Sequence, residues 1–171
     1  GNKIITTGMG GAILFKNKND FINIKHLIST ARISHNWKVE HDKIGYNLRM
    51  ANINAALGDS QMNRIKTTIR NKKTLFKKYE DVFNNDEYCF LHKSNIENQS
   101  NHWITNLYLK KKYKKYHQAL IKKLHKEKIL VRELWKPQHM NIMYKNMPKS
   151  SMTNAINHWK TGISLPSSNY K

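Results

Sequence analysis

Read for its hydrophobic positions alone, the chain moves between extended and helical stretches. Residues 4–15 open on Ile4-Ile5, pass through Gly8, Gly10 and Gly11, and close on Ala12-Ile13-Leu14-Phe15, which predicts a buried strand interrupted by a glycine cluster. Phe21, Ile24, Ile28 and Ala31 recur at helical spacing, with Asp20 as the expected cap of a helix that packs one face on a core. Residues 34–49 show no such period and read as a loop. From about residue 50 to 83, Ile53, Leu57, Ile65, Ile69, Phe76, Tyr79 and Phe83 mark the apolar face of one long helix. Gly58 within it permits close packing or a bend. Arg64, Lys66, Arg70, Lys72, Lys73, Lys77 and Lys78 read as its solvated face.

Beyond residue 84 the elements shorten. Strands are expected over 88–91, 102–109 (Trp103, Thr105 and Leu107 on one face) and 129–134, with a polar loop over 96–101. Residues 113–125 form an amphipathic helix carrying Tyr116, Leu120, Ile121 and Leu124, and 150–159 a further helix capped by Ser150 or Ser151. This order predicts a small α/β domain with helices on one face of a short sheet. The fold class is therefore α/β in two parts, residues 1–83 with the long linking helix and residues 84–171 as the small domain.

Composition changes that picture little. At 171 residues and 39% hydrophobic, the chain has material for a real core. Its one cysteine, Cys89, excludes an internal disulfide and a cysteine-rich zinc site and fits a reducing cytoplasm. No apolar run reaches transmembrane length, so no membrane role is expected, and no signal peptide is visible. The formal net charge of +20 admits nucleic acid as a partner. The lysines are spread over nearly every segment, however, which reads as compositional bias rather than a binding face. A basic nucleic-acid-binding protein is kept as the alternative.

Chemistry concentrates in three places. Lys3 stands before Thr6-Thr7 and the glycines, where a lysine, if neutral, can form an imine with an aldehyde. The loop 34–49 holds His35, Trp37, His41, Asp42, Asn47 and Arg49. Its two histidines lie six apart with no third ligand at a matching spacing, so no metal site is expected. Arg132, Trp135, Lys136, Pro137 and His139 gather at the end of one predicted strand, a set that suits a diphosphate.

The wording of these places is more specific than their composition. Asn2-Lys3-Ile4-Ile5-Thr6-Thr7-Gly8-x-Gly10-Gly11, then Gly45-Tyr46-Asn47-x-Arg49-Met50 with Asn52-Ile53-Asn54-Ala55-Ala56-Leu57-Gly58, resembles nucleotide-sugar aminotransferases of the DegT/StrS type. These are pyridoxal-phosphate enzymes of fold type I. His35-x-Trp37, His41-Asp42, Val131-Arg132-x-Leu134-Trp135-Lys136-Pro137-x-His139 and the closing Leu165-Pro166-Ser167-Ser168 extend the likeness over essentially the whole chain. The family usually has glycine where Met9 stands, and an apolar residue where Asp59 stands.

The resemblance implies the C-terminal half of a transferase that moves an amino group, commonly from glutamate, to a nucleotide-linked 4-keto-6-deoxy sugar. The wording is nearest to enzymes acting on a UDP-linked N-acetylhexosamine, with the GDP-linked perosamine type close behind. It makes Lys3 the catalytic, cofactor-bearing lysine and Asn47 a ligand of the cofactor phosphate across a homodimer. Trp37, His41, Arg49, Arg132, Lys136 and His139 become substrate-binding residues. It also implies that this chain is a piece of a longer protein, inactive without the rest.

Overall fold

The computed structural model describes residues 3–94 and 100–168, so the expected polar loop over 96–101 lies mostly outside the described residues. Contacts divide the chain into two compact units that meet between Arg64 and Ile65. Each is described by itself.

The first unit opens on residues 3–17 without helix or strand. The strand expected over 4–15 is not formed, because no segment of the unit pairs with it and a lone strand leaves its backbone groups unsatisfied. Side-chain amides serve it instead, as set out below. Helix α1 (Lys18–Ile28) follows, capped by Asn17, whose side chain accepts from the Asn19 amide at 2.7 Å. The expected cap, Asp20, lies inside the first turn, where its charge suits the helix dipole. Strands β1 (Arg32–Ile33) and β2 (Glu40–His41) form a two-residue antiparallel ribbon within the expected loop. Helix α2 (Asn52–Met62) closes the unit.

Helix α3 (Ile65–Phe83) opens the second unit, so the single long helix expected over 50–83 is two. The break is backbone chemistry at residues 63 and 64. The Arg64 amide bonds the Gln61 carbonyl at 3.1 Å, a three-residue step that tightens the turn and ends the four-residue ladder. Gly58 causes no break. It is buried on α2, where an added Cβ would stand 2.9 Å from the Thr7 side chain.

The remaining elements are β3 (Cys89–Leu91), β4 (Thr105–Leu109), a 3₁₀ segment Lys111–Tyr116, α4 (His117–Lys126), β5 (Arg132–Glu133), α5 (Thr153–Thr161) and β6 (Gly162–Leu165). The strands form one sheet in the order β3-β4-β6-β5, antiparallel throughout. Cys89, Leu91, Leu107 and Leu109 share one face, covered by Tyr79 and Phe83 of α3, Tyr113, and Leu120 of α4. Ile163 of β6 is wholly buried. Burial, helped by the Asp86 carboxylate, pushes the Cys89 thiol up to about 12, so it packs as an inert hydrophobe.

Three expectations for this unit do not hold. Lys72 is not on the solvated face of α3. Steps of three and four from Ile65 and Ile69 through Phe76 and Tyr79 carry it into the covered face, where it is 7% exposed and its ammonium donates to the Ser167 carbonyl. Tyr79, two turns on, donates to the Pro166 carbonyl at 2.9 Å, so one helix face holds the chain leaving β6. The helices also do not all lie on one side of the sheet. Tyr108 points away from Leu107 and Leu109, and His158 of α5 stands edge-on to its ring at 5.1 Å. The predicted serine cap of α5 is absent: Met152 occupies the cap position, and Ser151 reaches only the Thr153 hydroxyl at 3.4 Å.

Candidate active site

In the first unit, an irregular segment is fixed by a helix. Gln61 of α2 grips Thr6 at both ends of its peptide: its carbonyl oxygen accepts from the Thr6 amide at 2.9 Å and its nitrogen donates to the Thr6 carbonyl at 2.7 Å. Asn54, two turns earlier, donates to the Thr7 carbonyl at 2.5 Å. A spacing of seven puts both carboxamides on one helix face. Asn54 belongs to the Asn52–Gly58 motif without a task assigned to it there, and Gln61 stands outside that motif, although polar amides two turns apart beside the small residues Gly58 and Ala55 are a readable signal. Together they replace the ladder that the expected strand would have had.

The glycines of this segment do separate work. Gly8 and Gly10 have φ of +77° and +131°, values that favour glycine. Met9 has no such backbone and projects into solvent at 81% exposure, so its departure from the family's glycine needs no compensation. Lys3 lies three residues before Thr6, exposed and with a contact of its own.

A second element of this unit is the turn joining α1 to residues 45–48. The Tyr46 amide bonds the Leu27 carbonyl at 2.7 Å, the Thr30 amide bonds the Tyr46 carbonyl at 3.0 Å, and the Leu48 amide bonds the Ile28 carbonyl at 3.0 Å. Asn47 pairs with Ser29 in the middle of this ladder, and is exposed. Thr30 and Ala31 both have positive φ, 68° and 50°, an uncommon conformation for a β-branched residue. Gly45 makes this possible, since a Cβ there would lie 2.2 Å from the Thr30 carbonyl carbon. Backbone strain is thus stored directly beside Asn47.

His41 is held in this same turn, its Nδ1 2.8 Å from the Thr30 carbonyl. Asp42 lies 2.6 Å from His26 of α1, and that hydrogen bond is the main reason its carboxyl sits below the usual range. Trp37 is 79% exposed and edge-on to His35 at 4.7 Å; His35 accepts from the amides of Trp37 and Lys38. Arg49 is exposed just after the ladder. Among the described residues no group of three or more His, Cys, Asp or Glu could hold a metal ion.

The second unit carries Arg132, Lys136 and His139. Arg132 lies on the edge strand β5 opposite Ser164, Lys136 is exposed just beyond it, and His139 is half-buried in a short 3₁₀ turn. Trp135, 74% exposed, stands 5.9 Å from Trp103. One short segment thus presents two cations, an imidazole and an aromatic ring.

The donor chemistry in the first unit fits pyridoxal phosphate. A primary amine on a fixed segment suits its aldehyde, and an exposed carboxamide on a braced turn suits its phosphate.

The α/β fold, read with this site, is the C-terminal part of a pyridoxal-phosphate-dependent transferase fold. The crystal structure of Helicobacter pylori PseC, an aminotransferase of pseudaminic acid biosynthesis, superposes with a TM-score of 0.85 over 95% of this chain and 44% of its own, at 22% identity. The family model described as DegT/DnrJ/EryC1/StrS aminotransferase matches residues 1–170, and the chain belongs to that family. It is 29% identical to EpsN of Bacillus subtilis, named as a candidate pyridoxal phosphate-dependent aminotransferase, over 98% of this chain and 43% of that protein. It is 28% identical to the GDP-perosamine synthase of Vibrio cholerae over 98% of this chain and 45% of that protein. The chain therefore spans somewhat under half the length of the curated relatives it matches.

Proposed function

We propose that this chain is the C-terminal part of a pyridoxal-phosphate enzyme that aminates a nucleotide-linked 4-keto-6-deoxy sugar at the expense of an amino acid such as glutamate. The observation that carries this reading is the clamp of Gln61 and Asn54 on Thr6 and Thr7, which fixes the backbone just after Lys3. Supporting it are the family membership and the nucleotide-sugar names among the relatives.

Each residue then has a task. Nζ of Lys3 would hold the cofactor at its aldehyde, and the same Nζ would carry the proton that moves during amino-group transfer. When bound, the cofactor supplies the electron sink for that transfer. Asn47 donates its side-chain N–H to the cofactor phosphate of a second copy in a homodimer. Exposed Ile44, Tyr46 and Leu48, which flank Asn47 in the chain, support a covered face there. His41 and Arg49 line the substrate side of the same turn. Arg132 and Lys136 hold the substrate diphosphate, and His139 its sugar side. The reaction runs in the cytoplasm, consistent with the reduced, buried Cys89.

The test uses the full-length protein carrying this sequence, with pyridoxal phosphate, glutamate, and a UDP- or GDP-linked 4-keto-6-deoxy sugar. Amino-sugar formation is expected with one of the two, and none with Lys3→Ala. Failure with both nucleotides would overturn the reading. Mixing Lys3→Ala with Asn47→Ala subunits should restore one intact site per mixed dimer; no restoration would remove the second-copy role of Asn47.

A further inference from the structure

In the second unit an open cavity of about 330 Å³ lies between the 3₁₀ segment Lys111–Tyr116 and α5, with β5 as its third wall. Three of its lining groups, His117, Gln118 and Glu133, are already engaged. His117 is buried with its ring nitrogen 2.9 Å from the Gly162 carbonyl, which ties the start of α4 to the start of β6. Glu133 accepts from the Gln118 amide, so its carboxylate is partnered from α4. These bonds tie α4 to β5 and β6 beside the cavity.

What remains is complementary to an anion with a flat ring. Lys114 from one wall and Lys160 from the other have no acidic partner among the described residues. Lys115, which also lines the cavity, rests its ammonium 5.1 Å from the Tyr116 ring. Trp159, half-buried, supplies an aromatic wall. Lysines are plentiful in a chain of net charge +20. Lys114, Lys115 and Lys160 differ from the others in bordering a volume that also contains a half-buried indole, and of the three only Lys115 is engaged with a ring of its own.

The cavity is separate from the residues assigned to the substrate. Arg132 and Glu133 are neighbours on β5 and point to opposite faces of the sheet. Glu133 lines the cavity and Arg132 does not. The volume is at the lower end for a small-molecule site, roughly 300–1,000 Å³, which suits one mononucleotide and is too small for a polymer.

We propose that this cavity binds a nucleoside phosphate, its base against Trp159 and its phosphate between Lys114 and Lys160, as a second nucleotide site on the face of β5 opposite Arg132. The proposal does not depend on the aminotransferase reading. Ammonium groups on flexible stems hold phosphate as point charges, and every base offers a face to an indole.

The test is protection from acetylation in the unmutated full-length protein at physiological ionic strength, read lysine by lysine by mass spectrometry. UMP and GMP are the probes, with inorganic phosphate as the comparison. At least one nucleotide should protect Lys114 and Lys160 several-fold, and phosphate at the same concentration should protect them less. Trp159→Ala should weaken that protection about tenfold while Trp159→Phe keeps most of it. Arg132→Ala should leave it unchanged. Equal acetylation with and without both nucleotides would overturn the proposal. So would protection by phosphate alone equal to that by nucleotide, since the indole would then have no part. Protection of Lys136 is read in the same experiment and reports the proposed substrate residues, so either site can fail alone.

Discussion

The two units solve the problem of holding a backbone in opposite ways. Residues 65–168 bury Leu91, Leu107, Leu109, Val131 and Ile163 in and around an antiparallel sheet, and their polar groups pair mostly along its ladders. In residues 3–64 the one fully buried hydrophobic side chain among the described residues is Ala31. That unit is held by amides gripping carbonyls, by a tight turn around Gly45 and by a histidine–aspartate pair. Such a framework fixes local geometry closely but contributes little apolar burial. It is a reasonable way to position a lysine and an amide, and it leaves large apolar side chains such as Leu14, Trp37 and Ile44 exposed.

Four substitutions or conditions can break or sharpen this contrast. The largest stability effect should come from the sheet. Ile163→Ala removes a wholly buried side chain and should cost about 2–5 kcal/mol in denaturant unfolding. Hydrogen exchange should rise across β3, β4 and β6 while the Thr6 and Tyr46 amides keep their protection. If those amides lose protection equally, the two units do not differ as described.

Next is Gly45→Ala, whose added carbon would meet the Thr30 and Ala31 backbone at 2.2–2.6 Å. Backbone cannot yield as a side-chain tip can, so a loss of about 1–3 kcal/mol is expected, confined to residues 27–48. By exchange, Thr30, Tyr46 and Leu48 should lose protection together. Wild-type protection at all three would show that the turn is not built around this close approach.

Gln61→Ala should act more narrowly. It frees both ends of the Thr6 peptide, worth about 1 kcal/mol per bond in a half-buried setting. The sign to look for is faster exchange at Thr6 with α2 itself still helical. A Gln61→Glu protein would keep the acceptor for the Thr6 amide and lose the donor, giving an intermediate result.

The smallest effect is a pH dependence in the first unit. His26 holds the Asp42 carboxyl below the usual range, so the folded state favours the carboxylate. The resulting stability is present above the ordinary carboxylate range and is lost as pH falls through Asp42's lower value. Because the pair is exposed, the effect belongs to an NMR titration of Asp42 rather than to global unfolding. His26→Gln should move the titration upward toward an ordinary aspartate; an unchanged titration would remove the pair from the account.

Legibility followed the same division. In the second unit the alternation of Thr105 and Leu107 and the steps along α3 mark real faces, because a buried sheet imposes its period on the sequence, while Trp103 of the same expected face lies before β4 begins. The error at Lys72 came from reading charge ahead of position: a long stem can follow an apolar face and place its ammonium on a carbonyl at the far side. In the first unit periodicity misled. Ile4-Ile5 and Ala12-Ile13-Leu14 are strand-like in composition, but a strand exists only with a neighbour. The break at residues 63 and 64 carries neither proline nor glycine, and the apolar steps run across it unaltered. The tasks proposed for Lys3 and Asn47 rest on the wording of their motifs, not on any pattern of spacing. The carboxamides of Asn54 and Gln61 stand at a seven-residue step, but polar helix positions are usually solvated, so that step alone does not mark a clamp.

The central claim is that the clamped segment presents Lys3 to the aldehyde of pyridoxal phosphate. Borohydride reduction of the full-length protein in the presence of the cofactor, followed by peptide mapping, tests it most directly. A single reduced cofactor on the peptide containing Lys3, absent in Lys3→Ala, is the predicted result. Label on another lysine with Lys3 unmodified, or label scattered over the exposed lysines, would contradict it.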